Sequence, residues 1–262
     1  MSAAGIVARL RAAGCVFAED EARVLAESAA DPASLAAMVE RRVAGEPLEH
    51  VVGWAEFAGL RVAVGPGVFV PRHRTEFLVE LAILALRPAP HRRDADRRVL
   101  VDLACGSGAI GAAVAHRVPG LRVIAADIEP AAVDCARRNL TAFDAEVVTG
   151  DLFDPLPAGV KGHVDVLVAN VPYVPSAAVD LLPPEARLYE PLRALDGGPD
   201  GLDVLRRVAV AAPDWLAPGG RLLFEIGVDQ VDAAKAALAA AGLSPEILAD
   251  EERDATVAAG TR

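Results

Sequence analysis

The chain has 262 residues, with 37 Asp and Glu against 26 Lys and Arg and a formal net charge of -11. That balance disfavours tight non-specific binding to nucleic acid, which needs cations to neutralise phosphates, and a hydrophobic share of 53% excludes global disorder. The length suits one large domain or a domain with a small appendage, and no stretch approaches the roughly 20 uncharged apolar residues of a membrane span.

Arg9 and Arg11 interrupt the apolar residues of the first segment, which argues against a secretory signal. Cys15, Cys105 and Cys135 form no CxxC and no pairing pattern, so a reduced, cytosolic protein without a metal site is expected. Helical spacing recurs over Ile6–Ala13, Glu19–Ala30 and Ser34–Val43, and Gly45-Glu46-Pro47 closes that block. Leu60–Val64 alternates, Gly65-Pro66-Gly67 turns and Val68–Val70 follows, which predicts a β-hairpin. Thr75 is placed to cap a helix running to Leu86, and a charged, proline-containing connector spans Pro88–Arg98.

From Val99 the rhythm changes. Apolar runs at Val99–Leu103, Leu121–Ala126, Glu146–Val148, Val164–Ala169 and Arg221–Ile226 read as strands. Helical patterns at Ala109–Arg117, Pro130–Leu140, Leu202–Ala212 and Val231–Ala241 come between and after them. Such alternation predicts an α/β domain with a mostly parallel sheet covered on both faces. Leu243–Leu248 and Thr256–Ala259 offer two further strands, ending in a hairpin.

The sharpest local signal is Asp102-Leu-Ala-Cys-Gly-Ser-Gly108 between a strand and a helix. Glycines there let a ligand approach backbone N–H groups closely. With Gly111 the run forms a formal GxGxxG, and Asp127 ends the next strand, so the glycines alone leave a dinucleotide open. Asp102 pulls the other way: a carboxylate opposes a pyrophosphate and suits a cationic ligand such as S-adenosylmethionine (SAM), whose ribose hydroxyls suit Asp127. Asp151, after the third strand, is placed to accept from an adenine amino group. Asn170-Val171-Pro172-Tyr173 follows the fourth strand. The Asn170 side-chain oxygen and the Val171 carbonyl offer two acceptors for a planar –NH2 group, and Tyr173 offers a flat surface.

This last segment resembles the (N/D/S)PP(Y/F) motif of amino-group methyltransferases. More widely the chain is similar to the HemK/PrmC-type protein-(glutamine-N5) methyltransferases, which modify the GGQ glutamine of peptide-chain release factors. The likeness is carried by Gly45–His50, Phe69–Arg72, Thr75-Glu76, Asp102–Ile110, Asn170–Tyr173, Tyr189–Leu192, Asp196–Leu202 and Phe224–Gly227.

It implies a class I SAM-dependent methyltransferase domain, with a Rossmann-like seven-stranded mostly parallel sheet, over residues 93–262. A helical substrate-recognition domain over 1–50 and a β-hairpin and linker helix over 51–92 would precede it. It also implies SAM along Asp102, Ala104, Cys105, Gly106, Ser107 and Gly108, with the ribose at Asp127 and Ile128 and the adenine at Asp151 and Leu152. Asn170, Val171, Pro172 and Tyr173 would do the chemistry, with Asn170 also meeting the cofactor, and Phe69 and Arg72 would border the substrate pocket. The implied partner is a protein carrying the target glutamine, with the enzyme monomeric. Four features depart from the family pattern: Val171 replaces the first Pro of the motif, His73 follows Pro71-Arg72, Ala104 stands in place of Gly, and the helical block before Gly45 is short. An RNA or DNA amino-group methyltransferase (adenine N6 or guanine N2) would use the same motif, and a SAM-fold binding protein would keep the fold.

Overall fold

The computed structural model describes residues 2–87 and 97–262. Of the Pro88–Arg98 connector only Arg97 and Arg98 fall within them, and the expected boundary between 92 and 93 lies outside. Four helices come first: α1 (Ala3–Ala12), α2 (Ala18–Ser28), α3 (Pro32–Val43) and the single-turn α4 (Leu48–Val52). Asp31 starts α3 by a capping box with Ser34, and Pro32 sits in the first turn, where its missing N–H costs nothing. Their apolar faces meet in a small core of their own around Leu10, Leu25 and Val39.

The hairpin differs from expectation. It pairs β1 (Trp54–Phe57) with β2 (Leu60–Ala63). The turn is Ala58-Gly59, both at positive φ, which matches the right-handed twist of paired strands. The Gly65-Pro66-Gly67 turn leads instead into an irregular segment, where the Val68 carbonyl lies 2.9 Å from His50 Nε2. Asn139 holds the end of β2: its side chain accepts from Ala63 N–H at 2.8 Å and donates to the Ala63 and Ser107 carbonyls. The linker helix α5 covers Glu76–Ala85 after a 3-10 turn at His73–Thr75. Thr75 makes no cap hydrogen bond, contrary to expectation; its hydroxyl is engaged elsewhere.

The main sheet has seven strands: β3 (Val99–Leu103), β4 (Arg122–Asp127), β5 (Ala145–Thr149), β6 (Val164–Ala169), β7 (Leu216–Ile226), β8 (Ser244–Asp250) and β9 (Ala255–Thr261). Their order is β5-β4-β3-β6-β7-β9-β8, with β9 antiparallel to both β7 and β8 and the other pairs parallel. On one face pack α5, α6 (Ala109–Arg117) and α7 (Pro130–Leu140), and on the other α9 (Asp203–Trp215) and α10 (Val231–Ala240). One short helix, α8 (Pro184–Tyr189), lies in the long connection between β6 and α9. The central strand β3 is buried along its whole length, as a parallel strand covered on both faces must be. Among the described residues, no helix is long and apolar enough to cross a membrane.

Candidate active site

A cavity of about 630 Å³ opens at the carboxyl ends of β3, β4, β5 and β6, the place where open α/β sheets bind ligands. That volume lies within the roughly 300–1,000 Å³ range of small-molecule sites.

On its first side the loop after β3 presents Ala104, Cys105, Gly106 and Ser107 to the cavity. The turn is tight, with Ala104, Gly106 and Gly108 all at positive φ. Asp127, Ile128, Asp151 and Leu152 line the same side. Asp127 spends both oxygens on backbone: Oδ2 accepts from Gly106 N–H at 2.8 Å and Oδ1 from Glu129 N–H at 2.9 Å. Burial raises its pKa, and those two N–H groups oppose the rise. The Gly106 N–H that a phosphate would require is therefore already taken by a carboxylate. With Asp127 and Asp151 on this side, the acceptor set rejects a pyrophosphate and fits ribose hydroxyls and an adenine amino group. Asp151 also pairs with Arg207 at 2.6 Å, so an adenine would share that carboxylate.

Two expected cofactor residues are not on the cavity wall. Side chains alternate across a strand, and Asp102 shares with Leu100 the face of β3 that looks at α6. There it is fully buried, its Oδ2 accepting from Gly111 N–H at 3.0 Å while Oδ1 has no partner. Burial pushes its carboxyl up to about 7, helped by Asp127 nearby. Asp102 supports the loop from behind. Gly108, at φ +73°, caps α6 and packs against Ala136 and Leu140. Cys105 is buried with its thiol pushed well up, which suits packing and not nucleophilic attack.

On the opposite side stand Asn170, Val171, Pro172 and Tyr173, with Phe69 and Arg72 beside them. The Asn170 side chain has no hydrogen-bond partner among the described residues, which leaves its amide available to a ligand. Val171 is buried against the α9 face, so an apolar side chain in place of proline keeps the packing. The cavity thus joins a loop with acids at strand ends to a free amide acceptor beside an aromatic ring.

The family described as "Methyltransferase small domain" matches residues 63–183. A release factor glutamine methyltransferase of Geobacter sulfurreducens is 42% identical over 207 residues, 77% of this chain and 69% of the relative. Another from Mycolicibacterium smegmatis is 41% identical over 210 residues, 79% of this chain and 72% of the relative. The chain belongs to the release factor glutamine methyltransferase family. Among solved structures, a ribosomal protein L11 methylase from Lactobacillus delbrueckii subsp. bulgaricus shares the fold. It superposes with a TM-score of 0.52 at 19% identity, covering 76% of this chain and 83% of that one.

For a member of this family the structure gives contacts to stretches that carried the likeness without an assigned role, and adds Gln230, which no motif marked. Glu190 accepts from Arg72 through both oxygens, at 2.7 and 2.6 Å, and from Val70 N–H at 3.1 Å, and so fixes the Phe69–Arg72 border. Asp196–Leu202 is the footing of the Pro172-Tyr173 loop. Gly197 N–H donates to the Val174 carbonyl at 2.9 Å, and a Cβ on Gly197 would lie 2.6 Å from the Pro172 oxygen. Gln230 Nε2 then bridges the Tyr173 and Asp200 carbonyls at 2.8 and 2.9 Å. Glu225 receives the Tyr173 hydroxyl. His73 is 77% exposed and pairs with Glu76 at 3.2 Å, away from the cavity, so it has no reach to a substrate there.

Proposed function

We propose that the protein transfers a methyl group from SAM to the side-chain amide nitrogen of a glutamine, in a peptide-chain release factor. The observation that carries this reading is the free Asn170 amide facing the same cavity as the Asp127 loop. The methionine part of SAM would lie along Ala104–Ser107, its ribose at Asp127 and Ile128, and its adenine at Asp151 and Leu152. When bound, SAM supplies an electrophilic methyl group. Asn170 Oδ1 and the Val171 carbonyl accept the two N–H bonds of the target amide and aim the nitrogen lone pair into the cavity. An amide nitrogen is a poor nucleophile because its lone pair is delocalised, so orientation and proximity carry most of the acceleration. The same two acceptors offset the positive charge that the nitrogen gains. Tyr173 walls the flat group, Phe69 and Arg72 border its entry, and the surplus proton leaves to water.

The three cysteines are buried and unpaired, which supports work in a reducing compartment such as the cytosol. Incubation with labelled SAM, release factors and ribosomal proteins, followed by peptide mass spectrometry, tests the reading. A single added methyl on the GGQ glutamine is expected; label found only in RNA or DNA overturns it.

A further inference from the structure

One carboxylate holds the substrate side of the cavity from behind. Glu225 lies near the end of β7 and is 3% exposed. Tyr173 Oη donates to its Oε1 at 2.7 Å and Thr75 Oγ1 to its Oε2 at 2.6 Å. Arg74 Nε stands 3.3 Å from Oε1. Tyr173, Thr75 and Arg74 all line the cavity, on segments almost a hundred residues apart in the chain. The backbone of Tyr173 is pinned separately, through its carbonyl, by Gln230. A ring held at its carbonyl and at its hydroxyl keeps one rotamer. Two hydroxyl donors on one side chain need an acceptor at each oxygen, which an ionised carboxylate supplies and an amide does not.

We propose that Glu225 is a positioning residue for methyl transfer: by receiving both hydroxyls it locks the Tyr173 ring and, with it, the Asn170–Tyr173 loop against the Arg72–Thr75 turn. The proposal rests on the reading of that loop as the holder of the target amide. A displacement of the order of 1 Å in such a loop costs turnover more than cofactor affinity.

The electrostatics leave a signature independent of activity. Burial, and then the Glu225 charge, push the Tyr173 phenol well above its ordinary range, while Arg74 and Arg72 pull it back. The chain has only 2 tyrosines, so phenolate can be counted by absorbance after a rapid jump to about pH 12.

The test combines Glu225→Gln, Tyr173→Phe and the double variant, measured for kcat, KM, S-adenosylhomocysteine affinity and phenolate yield. Each single variant is expected to lose about tenfold in kcat with affinity within about twofold, and the double to be no worse than either single. Glu225→Gln is also expected to raise the phenolate yield, as the Glu225 part of the upward push is lost and burial remains. Multiplying losses in the double overturn the proposal. If Glu225→Gln does not fold, the cycle of Tyr173→Phe with Thr75→Val replaces it: kcat losses smaller than the product support the shared carboxylate, and full multiplication overturns it. A wild type that methylates no glutamine but keeps its phenolate signature strikes the substrate assignment and leaves the Glu225–Tyr173 coupling standing.

Discussion

The two sides of the cavity are built differently. The cofactor side consists of three successive strand ends, and its internal bonds are short-range in space and mostly backbone: Asp127 to Gly106 and Glu129, Cys105 N–H to the Ala126 carbonyl, Asp102 to Gly111. The substrate side is assembled from distant pieces by side chains, with Glu190 reaching Arg72 across 118 residues and Glu225 reaching Thr75 across 150. A backbone-built loop suits a ligand that never changes. A wall of interlocked side chains suits a larger substrate, since its shape is set by pairs such as Arg72–Glu190 that lie outside the sheet. Variants on the two sides should therefore fail in different ways: the cofactor side through affinity and folding, the substrate side through turnover and KM.

Asn170→Ala is the sharpest break. Losing one preorganised acceptor is expected to lower kcat by about 10²- to 10³-fold, with S-adenosylhomocysteine affinity within about twofold by calorimetry. Equal losses in both would merge the two sides and remove the assigned role. Gly108→Ala should do the reverse. At φ +73° an alanine is strained, and its Cβ would sit 3.0 Å from Ala136 Cβ and 3.1 Å from Ala136 Cα. Urea unfolding should show a cost of about 2–4 kcal/mol, and cofactor affinity should fall more than tenfold. A stable variant with full affinity would show that the loop does not depend on this approach.

The same contrast decides what was legible in the sequence. Val164–Ala169, Ala109–Arg117 and Pro130–Leu140 have their expected ends because periodicity and flanking Gly, Pro and Asp mark them locally. Asp127, Asp151 and Asn170–Tyr173 were legible as cavity-lining positions because each stands at a strand end that the chain marks locally. The supports were legible as stretches of family likeness but not as contacts. A glutamate in Phe224-Glu225-Ile226 reads as one position of a buried strand until Thr75 and Tyr173 are seen above it. Thr75 reads as a helix cap because its neighbours fit one, yet tertiary contact with Glu225 wins its hydroxyl. The hairpin was misplaced because Gly65-Pro66-Gly67 is a louder turn signal than Ala58-Gly59, although only the latter joins paired strands. Asp102 stands at a strand end as expected, but its side chain is buried towards α6 and off the cavity wall, an orientation that the sequence does not mark.

Asp102 gives the cofactor side a dependence on pH. Its carboxyl titrates near 3.8 when unfolded and about 7 when folded. Between those limits the folded protein holds a proton that the unfolded chain has lost, so stability falls as pH rises. Asp127, also raised by burial, adds to the slope in the same sense. A rise from 3.8 to about 7 puts the loss over the window at roughly 4 kcal/mol. Asp102→Asn, neutral throughout, should show a flatter profile in urea unfolding at successive pH values. A variant with an unchanged slope would mean that Asp102 is ionised in the fold, with a partner for Oδ1.

Glu190→Gln should give the smallest effect and the one most specific to the substrate side. The Glu190 side chain is 1% exposed whereas Arg72 is 36% exposed, so solvent screens part of the pair and the loss is smaller than for a fully buried one. Glutamine keeps the shape and one acceptor but turns an N–H towards Val70 N–H or the Arg72 guanidinium, both donors. A destabilisation of about 1 kcal/mol is expected, with Arg72 less firmly held beside the Phe69 ring, which it now overlies at 4.8 Å. Because both residues border the entry and neither touches the Asp127 loop, KM for the protein substrate should rise about threefold while S-adenosylhomocysteine affinity stays unchanged. A shift in cofactor affinity with an unaltered KM would place the Phe69–Arg72 border on the other side of the cavity, and the division into a backbone-built half and a side-chain-built half would fail at that point.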